Sequence, residues 1–534
     1  MDNSYALHHL ILQSAERRPD AIALGDGKAE LSYAVLAERC QAFANGLLAL
    51  GVDRGDRIGI YLDKRFETVI GSFGSAAAGA AFVPINPILK AQQVAYILQD
   101  CNVRVLVTSP ERLPQMIEAL AHCPDLRHVV LTGNPAELPS LEGLGVHRWD
   151  DFMSAPPRPA HRITESDMLA ILYTSGSTGR PKGVVLSHRN MVTGAKSVAS
   201  YLGNNPDDTL LAALPLSFDA GFSQLTTAFF SGARVVLLNY LFPQDVLKAV
   251  VRERVTGLTA VPPLYIQLAQ LKWPETVTEH LRYFANTGGR MPLDTLTTLR
   301  THLPRTQPFL MYGLTEAFRA TYLPPGEVDR RPDSIGKAIP NAEVLVLRED
   351  GSECSPNEPG ELVQRGAHVA MGYWNDPLKT EERFKPLPNG APARHSGLVL
   401  PEIAVFSGDT VRRDEDGYLY FIGRRDEMMK TSGYRVSPTE VEEVLYGTQL
   451  VGECAAFGVP HPTLGQAICV IASGRDGAPL DTQALLVECK QRMPAYMVPA
   501  VIEARDGPLP RNPNGKIDRK ALSTEFENRS KVQA

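Results

Sequence analysis

The amino-acid sequence predicts an α/β protein. A large N-terminal domain of layered α/β subdomains with a small barrel-like part covers residues 1–424, and a small mobile α+β C-terminal domain covers 425–534. Three observations predict this. Short β-branched runs alternate with longer helical patterns through the first two thirds of the chain. From about Ser334 the texture changes to shorter runs divided by turn signals, as in REDGSECSPNEPGELVQRG. Around GRRDEMMKTSGYRVSPTEVEEVL the chain turns charged, then begins a new cycle of strand and helix patterns. A length of 534 residues agrees, being too great for one compact core.

In chain order, RIGIYL, VRVLVTS, HVVLTG, ARVVLLN and GLTAVPP each predict a buried strand. The uncharged stretch 69–89 has the length of a membrane span, but its small residues and the break at Pro84, Asn86 and Pro87 predict a buried helix, a strand and a turn. After Leu186, Ser187 and Asn190 are suited to cap a helix whose inward face uses Met191, Ala195, Val198 and Leu202. His188, at that junction, has no carboxylate beside it in sequence and reads as structural. The last dozen residues are polar and are expected to fray.

Composition narrows the function. A net charge of -6 gives no basic face for nucleic acid. Seven scattered cysteines, with no CxxC pair and no zinc spacing, read as reduced thiols and point to a cytoplasmic enzyme. The N-terminus lacks the basic start and apolar core of a signal peptide.

The chemistry concentrates at YTSGSTGRPKGV. Nine of the ten residues from Thr174 to Gly183 are glycine, hydroxyl-bearing or cationic, and they follow an apolar run. Backbone N–H groups, hydroxyls and Lys182 together suit a polyphosphate cradle; a plain hydrophilic turn accounts for the glycines and serines alone. The P-loop pattern GxxxxGKS/T is not met, because Lys182 is preceded by Pro181 and followed by Gly183.

YTSGSTGRPKGV resembles the signature loop of the adenylate-forming superfamily, which contains acyl-CoA synthetases, adenylation domains of peptide synthetases and luciferases. MYGLTE at 311, FSGD at 406, GRRDEMMKTSGYRV at 423 and LPRNPNGKIDRK at 509 follow in the family's order, so the resemblance covers nearly the whole chain. It implies ATP-dependent activation of a small carboxylic acid to an acyl-adenylate with release of pyrophosphate, and Mg2+ as the accompanying ion. Cations and oriented donors are the resource such a reaction needs, because negative charge gathers in its transition state.

By that resemblance, Thr174, Ser175, Gly176, Ser177, Thr178, Gly179 and Lys182 hold the β- and γ-phosphates. Lys516 is the catalytic lysine reaching the α-phosphate and the acid. Tyr312 stacks on adenine with Gly313 beside it, Thr315 contacts the α-phosphate, and Glu316 holds Mg2+. Asp409 and Arg424 bind the ribose hydroxyls, and Gly288, Gly289 and Arg290 line the adenine. Asp426 is the hinge on which the small domain rotates, bringing Lys430, Gly433 and Tyr434 to a tunnel for the incoming thiol.

The acid itself is read from LPLSFDAGFSQL. Phe218 and Asp219 are similar to the FDxS of amino-acid-adenylating domains, in which the aspartate meets the substrate's ammonium group; this favours an amino or imino acid. The other reading is a capping or surface aspartate beside a plain acyl pocket. It draws on Ala220-Gly221, which departs from FDxS, and on AFRATYLPPGEVDRRPDSIGKAIPNAE, which is similar to exosortase-associated acyl-CoA ligases. Arg319 either projects toward the substrate pocket, where it would meet a second carboxylate, or covers surface. With no carrier module attached after Lys516, the expected acceptor is the phosphopantetheine thiol of a separate acyl or peptidyl carrier protein; the alternative is free CoA. A luciferase-type oxidoreductase and a non-catalytic nucleotide-binding protein rank below both.

Overall fold

A computed structural model describes residues 4–133, 135–174, 181–388, 401–424, 427–431, 434–461, 464–513 and 515–533. Among these residues the strands form four sheets, of nine, eight, five and five strands. All five runs expected as strands are strands, from Arg57–Tyr61 to Gly257–Ala260.

The nine-stranded sheet has a parallel centre in which Gln307–Tyr312, Tyr283–Asn286, Gly257–Ala260 and Thr209–Ala212 lie side by side. In the eight-stranded sheet, Met168–Thr174 lies parallel to Ala81–Pro84 on one side and pairs antiparallel with Lys182–Ser187 on the other. That antiparallel pair places the two ends of the glycine-rich segment, Thr174 and Lys182, opposite each other.

One apolar core joins the two large sheets. Helix Phe66–Ala78 packs on the eight-stranded sheet and Asp219–Ser231 on the nine-stranded one, and their Phe73 and Phe222 rings stack at 5.8 Å. Phe82 also stacks on Phe222, at 4.8 Å, so strand and helix aromatics close the layer. The stretch that could have been mistaken for a span is this buried helix, ended by Gly79 at φ 83, followed by strand Ala81–Pro84. No helix among the described residues is long and apolar enough to cross a membrane.

Helix His188–Leu202 begins as expected: the Ser187 side chain accepts from the Asn190 N–H, and the Asn190 side chain accepts from the Ser187 N–H. His188 is buried, and its Nδ1 accepts from the Leu7 N–H at 3.1 Å. Burial lowers its pKa to about 4, and His368, equally enclosed, is also lowered to about 4. An unfolded histidine takes up a proton near pH 6.5, while these two stay neutral in the fold. Stability contributed by their neutral form is therefore present above pH 6.5 and lost as pH falls toward 4, by up to roughly 3 kcal/mol for each. Urea midpoints between pH 7 and pH 4.5 are expected to fall less steeply for His188→Asn than for the parent; identical slopes would contradict the assignment.

Past Ser334 the expected antiparallel patch is a five-stranded sheet of Ala342–Leu347, Gly360–Gly366, Phe384–Pro386, Ile403–Arg413 and Leu419–Arg424. The small C-terminal domain holds the fourth sheet, with helices Pro438–Gly447, Thr482–Arg492 and Arg519–Gln533 around it. The frayed tail expected from sequence is replaced by that last helix, which is continuous to Gln533. Leu522 is fully buried and Phe526, one turn on, meets Phe457 edge-on at 5.9 Å. Two apolar residues at helical spacing are enough to anchor an otherwise polar segment.

Candidate active site

Several of the expected residues converge on the C-terminal ends of the parallel strands, where ligands of open α/β sheets bind. Strand Gln307–Tyr312 delivers Tyr312, whose hydroxyl donates to Asp409 Oδ2 at 2.5 Å. Asp409 sits opposite Arg424 in the antiparallel register, with Arg424 Nε 3.7 Å from its Oδ1. Among the described residues Oδ1 itself has no hydrogen-bond partner, although it is buried. Burial pushes the Asp409 carboxyl upward, opposed by Arg424. A buried acceptor left open beside a tyrosine and an arginine suits a diol donating from a ligand.

Thr315 and Glu316 lie in the short turn Thr315–Ala317 directly after that strand. The Tyr373 hydroxyl donates to Glu316 Oε1 at 2.7 Å, and the Lys182 ammonium lies 5.6 Å over the Tyr373 ring. Tyr373 was not singled out by sequence reasoning, and it links the cation of the glycine-rich segment to the acid of MYGLTE. Among the described residues no group of three His, Cys, Asp or Glu could cage a metal. One oriented carboxylate fits an ion that takes its remaining ligands from phosphate and water, as Mg2+ does.

Lys516 comes from the small domain. Its loop is closed by the Asn512 N–H to Lys516 carbonyl bond at 2.8 Å and by Gly515 at φ 81, and it is tied to the large domain by Asn86 Nδ2 donating to the Pro513 carbonyl at 2.6 Å. The lysine side chain lies against Gly288, where a Cβ would stand 3.2 Å from Lys516 Cε. Gly288 has φ 75, so a side chain there would meet both backbone strain and the lysine. Burial lowers the Lys516 pKa; Asp219 and Asp409 act against that and Arg424 adds to it. A half-buried lysine that is partly desolvated beside carboxylates is arranged to meet incoming negative charge.

Gly289 packs on Pro262, with 3.2 Å between its would-be Cβ and Pro262 Cγ. Gly313 lies beside Arg319 Cα, at 3.3 Å by the same measure. Arg290 reaches the small domain instead of staying within the large one: its Nε is 3.7 Å from Glu443 Oε2, and the Leu293 N–H donates to Glu443 Oε1 at 3.2 Å. Arg475 and Asp294 make a further bridge of 3.5 Å between the same two parts.

At the acid end, Phe218 packs with Leu214, Ala220 and Val261. Asp219 opens helix Asp219–Ser231 and is buried against Arg319, with 3.3 Å between Oδ2 and Nη1. Their side chains are only 5% and 3% exposed, so Arg319 covers no surface and Asp219 is no surface cap. Burial pushes the Asp219 carboxyl up, and Arg319 opposes the shift. Gly221, the departure from FDxS, has a steric reason: a Cβ there would collide with the Pro215 carbonyl oxygen. Sequence reasoning missed both the pair and the clash, because neither partner is adjacent in the chain.

Ser175, Gly176, Ser177, Thr178 and Gly179, together with Asp426 and Gly433, lie outside the described residues. Lys430 is described in strand Met429–Thr431 for its backbone only. Tyr434 is half exposed and stacks on Tyr496 at 4.0 Å with 8° between planes.

The chain as a whole is similar to known enzymes. Residues 11–374 match the AMP-binding enzyme family, and residues 440–516, ending at the lysine, match the AMP-binding enzyme C-terminal domain. Feruloyl-CoA synthase of Amycolatopsis sp is 32% identical over 515 residues, covering 95% of this chain and 96% of that one. A linear gramicidin synthase polypeptide of Brevibacillus parabrevis is 31% identical over 521 residues, covering 97% of this chain. This chain spans only 10% of that polypeptide, and 6% of a second polypeptide of the same synthase. Among solved structures, the anthranilate CoA ligase AuaEII in complex with anthranoyl-AMP superposes with a TM-score of 0.86 at 25% identity, covering 98% of each chain. ATP-bound MatB from Rhodopseudomonas palustris gives 0.84 at 25% identity, covering 98% of this chain and 99% of that one.

Proposed function

We propose, from the premise that this chain belongs to the AMP-binding enzyme family, that it is an acid–thiol ligase forming an acyl-adenylate from ATP and a small carboxylic acid and then passing the acyl group to a phosphopantetheine thiol. The observation that carries this is the seat of Lys516: a half-buried lysine from one domain, its side chain lodged against Gly288 of the other and within the electrostatic reach of Asp219 and Asp409. An ammonium so placed neutralises charge that builds on the α-phosphorus as the carboxylate attacks and pyrophosphate leaves.

In this reading the segment from Thr174 to Lys182 holds the departing phosphates, Thr315 donates to the α-phosphate, and Asp409 with Arg424 binds the ribose hydroxyls. Glu316, its orientation set by Tyr373, would hold Mg2+, which when bound spreads the phosphate charge. Tyr312, fixed by Asp409, offers its ring to adenine. For the second half-reaction the small domain rotates near Asp426, separating domains at 424/425, and brings Lys430, Gly433 and Tyr434 to the thiol. The bridges that must part include, among the described residues, Asn86 to Pro513, Glu443 to Leu293 and Arg290, and Arg475 to Asp294.

The Asp219–Arg319 pair bears on which acid is taken. An α-ammonium bound to Asp219 would add a cation to a buried site that already holds Arg319, with Lys516 nearby; such an uncompensated charge is costly. Electrostatics therefore favour an acid without an amine, with free CoA as the simpler acceptor. The open Oδ1 of Asp219 is the specific observation that favours the second reading, an amino or imino acid destined for a separate carrier protein.

The deciding assay is ATP–pyrophosphate exchange with a broad panel of amino acids and of short, long and aryl acids. Exchange supported by acids lacking an amine is expected. Exchange confined to amino acids would establish the second reading, and none with any acid would remove the adenylation claim.

A further inference from the structure

Beside the Asp219–Arg319 pair, and lined in part by Arg319 itself, lies a small cavity of about 20 Å³ in the large domain, room for a group of hydroxyl size. Leu202, Leu210 and Met311 form apolar walls, whereas Ser223, Gln224 and Thr227 enter from helix Asp219–Ser231. It adjoins the reacting centre: Ala220, on its wall, packs with Phe218 and Val261, and both of those lie against the Gly288 position that seats Lys516.

Two of its polar groups are unexplained by the fold. Gln224 is 5% exposed and donates both amide hydrogens, to the Leu211 carbonyl at 2.8 Å and the Thr259 carbonyl at 3.3 Å, leaving Oε1 with no donor among the described residues. Thr227 is 2% exposed and its hydroxyl has no partner among the described residues. Buried polar atoms are nearly always paired, and an orphan acceptor costs about 1–3 kcal/mol. Gln224 and Thr227 are three residues apart and so share a helix face, ~8 and ~12 Å along the axis from Asp219. An amide oxygen can only accept, while a threonine hydroxyl can donate. One hydroxyl group satisfies both.

Resting on the reading of the chain as an acid-activating enzyme, we propose that the acid carries a neutral hydroxyl on its tail, distal to the carboxylate, which donates to Gln224 Oε1 and accepts from the Thr227 hydroxyl. A neutral donor fits these walls where an ammonium does not, because no carboxylate lies on this part of the cavity. A saturated hydrocarbon tail would leave both groups unpaired, and sites built to bind a hydroxyl discriminate against analogues that lack it.

The test measures kcat/KM for acid-dependent pyrophosphate exchange with three matched pairs: 6-hydroxyhexanoate and hexanoate, 4-hydroxybenzoate and benzoate, 3-(4-hydroxyphenyl)propanoate and 3-phenylpropanoate. The hydroxylated member of the best-used pair is expected to lead by about 10- to 100-fold. Thr227→Val, which keeps the shape, should reduce that ratio severalfold, and Thr227→Val with Gln224→Leu should bring it close to one. A parent ratio near or below one in every pair that reacts, or a ratio unmoved by Thr227→Val, overturns the proposal. So does the absence of exchange with all three pairs while other acids of the broad panel react, in which case the adenylation reading stands. If no acid of either set reacts, both fall together.

Discussion

Lys516→Ala is expected to slow acid-dependent pyrophosphate exchange by about 100- to 1,000-fold, the cost of removing one charge-stabilising donor from a transition state. ATP binding should change little, since in the proposed role the lysine meets charge that develops only as the acid attacks. The direction of the Lys516 pKa adds a second readout. Burial pulls the amine below its ordinary range, so the protonated form that adenylation requires is lost at lower pH than for an exposed lysine. The parent's exchange rate is therefore expected to decline on the alkaline side before the usual lysine range is reached. Lys516→Arg, whose cation does not titrate there, should retain a flat alkaline limb at reduced rate. An unchanged rate in Lys516→Ala would refute the role outright.

The second large effect concerns stability. Arg319→Met is expected to cost about 3–5 kcal/mol, because it strands the buried Asp219 carboxyl without its partner. The sign of the pH dependence follows. A lone buried carboxyl has its folded pKa raised above the unfolded value near 4, so the folded state binds more protons and the variant loses stability as pH rises through that range. Asp219→Leu with Arg319→Met should recover most of the loss, since exchanging both partners for apolar groups removes the desolvation cost of each. Urea unfolding of the two singles and the double gives the coupling directly. A single Arg319→Met variant within about 0.5 kcal/mol of the parent would show that the pair is not a mutual partner.

These two residues also mark where sequence stops being informative. Elements governed by local chemistry were readable: the five strands from Arg57–Tyr61 to Gly257–Ala260, the Ser187 and Asn190 cap, the buried helix and turn within 69–89, and the order of motifs that places Lys516 last. Contacts made across the sheets were not. Arg319 meets Asp219 across 100 residues because the turn after strand Gln307–Tyr312 and helix Asp219–Ser231 both belong to the nine-stranded sheet and the helices packed on it, and no local periodicity encodes that. Tyr373 reaches Glu316 because strand Gly372–Tyr373 joins the edge of the other large sheet beside Lys182–Ser187. Glu443 could not be told from any surface acid on a helix until its partners Leu293 and Arg290 were placed. The tail helix was missed for a different reason: its apolar face consists of little more than Leu522 and Phe526, too thin a stripe to stand out among charged residues.

On the proposed function, two positions of one small domain divide the labour: Lys516 serves the first half-reaction and is withdrawn for the second. The most direct measurement supplies Lys516→Ala with a preformed acyl-adenylate of a competent acid, plus thiol, and follows thioester formation in a single turnover. The account predicts a rate within about threefold of the parent, while adenylate formation from ATP in the same preparation remains down by about 100-fold or more. Equal losses in both half-reactions would contradict it, by making the lysine a general support of the site instead of a group that acts on the α-phosphate alone.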